Sequence, residues 1–248
     1  MLQRRKGRVL SINMIVMDIW WHIHSLMSLR DAAHAACVSR AFLRSWRCYP
    51  NLTLDYDTLA SETCASEMRN SDKIDCILKN HSGCLKALTL NLNCISISHR
   101  HLDSWLCLAV KPGTEDLTLL LPKRKYNFPC SLLSDGVRNS IRYLEIGFWG
   151  ELECLLSNAL SLEQLAFTNC MEITHLKIPC QLACLDITAW QRLQVIENKA
   201  PNVSSFCLYG KISKVLLGDT LHMKNVTLGR SNAVCYARAE LPFIVPNL

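Results

Sequence analysis

The sequence predicts an α+β chain. A small N-terminal unit of three short helices precedes a solenoid with short parallel strands and few helices. Three observations carry this. Apolar residues over 15–48 recur at helical spacing. From residue 85 onward the form L-x-x-L-x-L recurs instead. Forty of the 248 residues are Leu, 50% of residues are hydrophobic and 19% charged, which supplies a sizeable core and excludes a disordered chain.

The helical part reads in three pieces. Ile15, Ile19, Ile23, Leu26 and Met27 form one stripe. Ser28 can cap a second helix, with Asp31 favouring its positive end and small residues Ala32, Ala33, Ala35, Ala36 and Cys37 following. Ser39 can cap a third, carrying Phe42, Leu43 and Trp46, and Tyr49-Pro50 stops it. So small a unit buries little surface and needs a neighbour. Residues 51–75 read as a polar connection, with a helix near 72–80.

The repeat then begins. Copies stand at Leu85/Leu88/Leu90, Ile141/Leu144/Ile146, Leu162/Leu165/Phe167, Ile173/Leu176/Ile178 and Leu182/Leu185/Ile187. They continue at Val203/Phe206/Leu208, Ile212/Val215/Leu217 and Met223/Val226/Leu228, with a partial copy at Leu117/Leu119/Leu121. Starts at 141, 162, 182, 203 and 223 lie 20 or 21 apart, the lower edge of the leucine-rich-repeat period. The last two apolar positions of each copy are two apart and point inward from one strand, and stacking buries them. Twenty residues leave little room for a helix, so a strand on each side of the coil is expected over 162–228. The earlier, longer spacings leave room for helices at 101–110, 130–137 and 151–160.

Other chemistries find little support. The net charge is +6, concentrated partly at Arg4, Arg5, Lys6 and Arg8, and no basic stripe suits nucleic acid. Fourteen Cys include no C-x-x-C pair. Cys94, His99 and His101 make only a partial ligand set, and the Cys read as small core filler in a reducing compartment. P-loop, dinucleotide-binding, nucleophile-elbow and zinc-protease motifs are absent, so no catalytic residue, metal or cofactor is expected. A secreted, glycosylated reading rests on the apolar stretch Val9 to Met17 and on Asn-x-Ser/Thr triplets at Asn51, Asn80, Asn202 and Asn225. Asn13 and Asp18, with His22 and His24 just beyond, argue against a signal or spanning segment.

The segment Met17 to Leu54, and within it DAAHAACVSRAFLRSWRCYPNLT, resembles the F-box of the large plant family of F-box proteins with leucine-rich repeats. ILKNHSG, LEQLAFTNC, ITHLKIP, IENKAPNVSSF and GDTLHMKNVTL resemble that family's repeats. The resemblance implies the substrate-recognition subunit of a Skp–cullin–F-box E3 ubiquitin ligase, itself non-catalytic, in the cytoplasm or nucleus. It implies docking on a Skp-type adaptor, and through it a cullin ligase, by Ile15, Ile19, Ile23, Leu26, Leu29, Val38 and Phe42. An unknown target protein would be held by the repeats, with no nucleic acid or membrane partner. The expected organisation is a basic tail over 1–14, the F-box over 15–52, a connection over 53–80 and leucine-rich repeats over 81–248, incomplete at the C-terminal end. Val16 and Ser28 stand where the family pattern has Pro. The rival reading is accordingly a leucine-rich protein-binding scaffold without ligase coupling. Candidate target-facing residues are Glu163, Gln164, Ala166, Ala183, Cys184 and Asp186.

Overall fold

A computed structural model describes residues 19–20, 22–24, 26–59, 70–95, 97–133, 137, 140–149, 153–168, 174–178, 181–190, 195–198, 200–210, 214–216 and 222–229. Ile15 and the basic tail lie outside the described residues.

Residues 19–20 and 22–24 are helical. Helix α1 (Leu29–Val38) begins at Ser28, whose Oγ accepts the Asp31 N–H at 3.1 Å, meeting one of the donors a helix start leaves open. Ser39 is extended and separates α1 from α2 (Arg40–Arg47) without a side-chain cap bond. Ala32 and Ala36 are buried, and their small side chains let α1 pack on α2. The Cys48 and Tyr49 N–H groups turn back onto Ser45 and Trp46 carbonyls, and Pro50 follows.

Next comes β1 (Asn51–Leu54), which pairs in parallel with β2 (Ala87–Asn91). The sheet therefore takes in residues that the sequence assigned to the F-box end and the connection. The expectation of an irregular polar stretch from 51 is corrected. Asn51 to Leu54 alternates exposed and buried, the period of a half-buried strand. Between β1 and β2 lie α3 (Tyr56–Leu59) and α4 (Asn70–Asn80). Helix α5 (His99–Ala109) leads to β3 (Asp116–Lys125) and then a short 3-10 turn, Cys130–Leu132. That turn falls within 130–137, where the sequence suggested a helix. Strand β4 (Tyr143–Trp149) and helix α6 (Glu153–Asn158) follow.

The remaining elements among the described residues are strands: β5 (Gln164–Thr168), β6 (His175–Ile178), β7 (Cys184–Trp190), β8 (Val195–Asn198), β9 (Ser205–Gly210), β10 (Lys214–Leu216) and β11 (Asn225–Gly229). They sort into two sheets. One has eight strands in the order β1-β2-β3-β4-β5-β7-β9-β11, and the other has three in the order β10-β8-β6. All pairings are parallel. This is the expected coil with one strand on each side, beginning at β5.

The aligned positions of the large sheet run Asn51, Ala87, Asp116, Tyr143, Gln164, Cys184, Ser205 and Asn225. Steps of 36, 29 and 27 residues, which hold helices, give way to steps of 20 or 21, which from β5 onward hold a second strand. Two inward rows form the core. One is Leu52, Leu88, Leu117, Leu144, Leu165, Leu185, Phe206 and Val226; the other is Leu54, Leu90, Leu119, Ile146, Phe167, Ile187, Leu208 and Leu228. All are buried except Val226 and Leu228 on the last described strand, which are half-buried. Burying each such side chain contributes about 1.5–3 kcal/mol.

A second ladder runs along the strand entrances. One carbonyl per coil accepts two successive N–H groups of the next. Pro50 O takes Lys86 and Ala87, Lys86 O takes Glu115 and Asp116, and Glu115 O takes Arg142 and Tyr143. The same pairing recurs at the carbonyls of Arg142, Glu163, Ala183 and Ser204. Each coil thus docks on its neighbour through backbone, which leaves the side chains there free to vary.

Candidate functional site: the open face of the sheet and the adjoining helices

The side of the large sheet opposite the core presents outward rows, two of which run through all eight strands. The first is Asn51, Ala87, Asp116, Tyr143, Gln164, Cys184, Ser205 and Asn225. The second is Thr53, Thr89, Thr118, Glu145, Ala166, Asp186, Cys207 and Thr227. Neither row contains Lys or Arg. Gln164, Ala166, Cys184 and Asp186 lie in these rows as the sequence suggested. Glu163 and Ala183 sit one residue earlier, at the strand entrance, where their carbonyls serve the backbone ladder and the Glu163 side chain pairs with Arg142 at 3.3 Å.

Asp116, Glu145 and Asp186 give this face its sign. Glu145 Oε2 accepts from Tyr143 Oη at 3.1 Å and from Thr118 Oγ1 at 3.5 Å. Asp186 Oδ1 accepts from Thr188 Oγ1 at 3.1 Å. The phenol of Tyr143 is pushed up to about 12, first by burial and then by Glu145, Asp186 and Asp116. Burial, seconded by Asp186, raises the Cys207 thiol. That thiol in turn raises Tyr209, whose ring lies over Gly229, where a Cβ would stand. Burial and then Glu115 raise the Asp116 carboxyl. The face is a negatively charged strip with two phenols along it. Sequence reasoning missed Asp116, Tyr143, Glu145 and Tyr209. Their positions one or two residues from inward Leu and Ile were the available signal.

The predicted adaptor-facing residues divide. Ile19 is 55% exposed, Leu26 74% and Val38 86%. Ile23, Leu29 and Phe42 are half-buried. Leu29 packs against the core. Phe42 stands edge-on to Trp20, with ring centroids 4.5 Å apart, and to His24 at 5.7 Å. The structure therefore turns Ile19, Leu26 and Val38 to solvent and engages Leu29 and Phe42 within the chain.

The cysteine expectation is corrected. Cys37, Cys76, Cys84, Cys94 and Cys107 are exposed, Cys48, Cys184 and Cys207 are half-buried, and Cys130 is disulfide-bonded. None of these eight free thiols fills a core slot. Cys184 and Cys207 stand in the outward rows, since Leu, Ile and Phe occupy the inward ones. His99 and His101, grouped with Cys94 in the sequence, are engaged elsewhere: His99 against the Tyr126 ring, and His101 on Ser98 Oγ at 2.8 Å and stacked on Trp105. Among the described residues no group of three His, Cys, Asp or Glu could hold a metal ion, and no helix is long and apolar enough to cross a membrane.

Parallel strands on one long face, apolar rows within and coils about twenty residues apart define a leucine-rich-repeat protein. A family model described as At1g61320/AtMIF1, LRR domain, matches residues 77–150 and 148–248, and the chain belongs to that family. Curated proteins and solved structures return no match. The family match begins at residue 77, near the end of α4, and runs to residue 248. Such a repeat domain suggests a protein-binding scaffold.

Proposed function

We propose that this chain is the substrate-recognition subunit of a Skp–cullin–F-box E3 ubiquitin ligase. The helical unit binds a Skp-type adaptor, and the open face of the large sheet binds a target protein. The chain itself performs no ubiquitin chemistry and works by raising the effective concentration of target near the ligase. The observation that carries the reading is the exposure of Ile19 and Val38 on helical segments and of Leu26 in the turn before α1. The resemblance of Met17 to Leu54 to an F-box supplies the partner's identity.

The target side is supported by the negative strip, which suits a segment rich in Lys and Arg. Proximity labelling with the full chain tests both arms. Leu26→Asp is expected to lose adaptor peptides and keep target peptides. Glu145→Lys with Asp186→Lys is expected to do the reverse. Retention of the adaptor by Leu26→Asp combined with Val38→Asp would remove the ligase reading and leave the scaffold without coupling.

A further inference from the structure

Strand β1 stands at the end of the large sheet, with β2 on one side and, among the described residues, no strand on the other. The ladder fixes which way its backbone points. Pro50 O accepts the Ala87 N–H, and Leu52 and Leu54 continue that side toward β2, because backbone groups alternate in direction along a strand. The N–H and C=O groups of Asn51 and Thr53 therefore point the other way, along the free edge. Both residues are exposed. An open edge is a template for another strand, and chains commonly blunt it with charge or Pro. None of the four residues of β1 is charged or Pro. Asn51, Leu52 and Thr53 instead line a cleft of about 290 Å³, together with Met27, Leu29 and Trp46 of the leading helical unit.

We propose that the free edge of β1 receives an extended segment of a partner protein, with apolar and polar residues in alternation, as an added strand. Main-chain hydrogen bonds to Asn51 and Thr53 give such a strand its affinity, and the cleft selects its side chains. The selection follows from the register. Side chains beside Leu52 point to the core side, where the cleft offers Leu29 and Trp46. Side chains beside Asn51 and Thr53 continue the outward rows and are polar. The cleft lining holds no Asp, Glu, Lys or Arg, so a charged side chain would enter without a counter-charge and lose its hydration. The inward positions are therefore uncharged and of the β-branched kind that strands favour. The inference rests on neither adaptor docking nor the negative strip, each of which has its own readout.

The full chain is titrated with the peptide acetyl-Lys-Thr-Val-Thr-Val-Thr-Lys-amide, following binding heat and deuterium exchange at the Asn51 and Thr53 amides. The peptide is expected to saturate and to slow exchange at both. Two analogues carry N-methyl groups, one on both Val and the other on the first two Thr. An added strand turns one of these sets toward β1 and the other away, parallel or antiparallel addition deciding which. One analogue is expected to bind at least about ten-fold more weakly, and the other within about two-fold of the parent. No saturable binding, equal losses from both analogues, or binding that leaves the two amides exchanging freely would overturn the proposal. A peptide that binds only by dissociating a dimer would assign the edge to a second copy and overturn it too. Thr53→Pro removes an edge N–H that β2 does not use and is expected to weaken the parent peptide about ten-fold. If that variant fails to fold, the two analogues decide alone.

Discussion

Gly83 shows how one residue joins the helical unit to the coils. A Cβ built there would stand 2.9 Å from Cys48 Cα and 3.2 Å from its carbonyl oxygen. Backbone at that distance has no rotamer through which to yield. The Ser82 and Gly83 N–H groups both donate to Arg47 O, which fixes the approach. Gly83→Ala is expected to cost about 1–3 kcal/mol, read as a lower melting temperature. An unchanged melt would mean the end of α2 moves freely against the loop. His24 makes a second prediction at this scale. Its pKa in the folded chain lies below 6.5. The unfolded chain takes up the proton first as pH falls, so the contribution of neutral His24 is full above that value and drains below it. The wild type is expected to lose stability relative to His24→Leu as pH falls below about 6.5. A gap that stays constant over that fall would contradict the burial of the ring.

At the scale of elements, the leading helices are held by aromatic contact rather than by a broad core. Phe42 touches the Trp20 and His24 rings, while Val38 touches solvent. Phe42→Ala is expected to cost about 2 kcal/mol and Val38→Ala less than about 0.5, compared by denaturant melts. Equal losses would contradict the division of those side chains. The repeat elements were legible because coils of twenty residues return their apolar pairs at a fixed interval. Strand β1 was less so, because Tyr49 replaces the first Leu of the pattern and helices lengthen the next step to 36 residues. Its signal was present as Leu-Thr-Leu at Leu52, Leu88 and Leu117, which the structure aligns in register. The negative strip was hidden for a different reason. Asp116, Glu145 and Asp186 are far apart in the chain, and only the stacking of coils brings them to one face.

At the scale of the molecule, the coils form a chain of nearest neighbours. Each strand of the large sheet bonds to the next coil, and the Pro50-to-Ser204 carbonyl ladder repeats the same local link. Stability in such an array is a sum of coil terms and interface terms, so damage spreads outward from its origin. Leu185 is fully buried in β7, between Leu165 and Phe206 in register. Leu185→Ala leaves a cavity at the centre of that row and is expected to cost about 2–5 kcal/mol. Hydrogen exchange then distinguishes a solenoid from a single cooperative core. Protection is expected to fall most in β5, β7 and β9, and in β11 beyond them, whose inward Val226 and Leu228 are already half-buried. Strands β1 and β2, with Leu54 and Leu90 fully buried and their own helices α4 and α5 alongside, are expected to keep theirs. A uniform loss across all eight strands of the large sheet would show that the coils fold as one unit and that the nearest-neighbour picture fails for this chain.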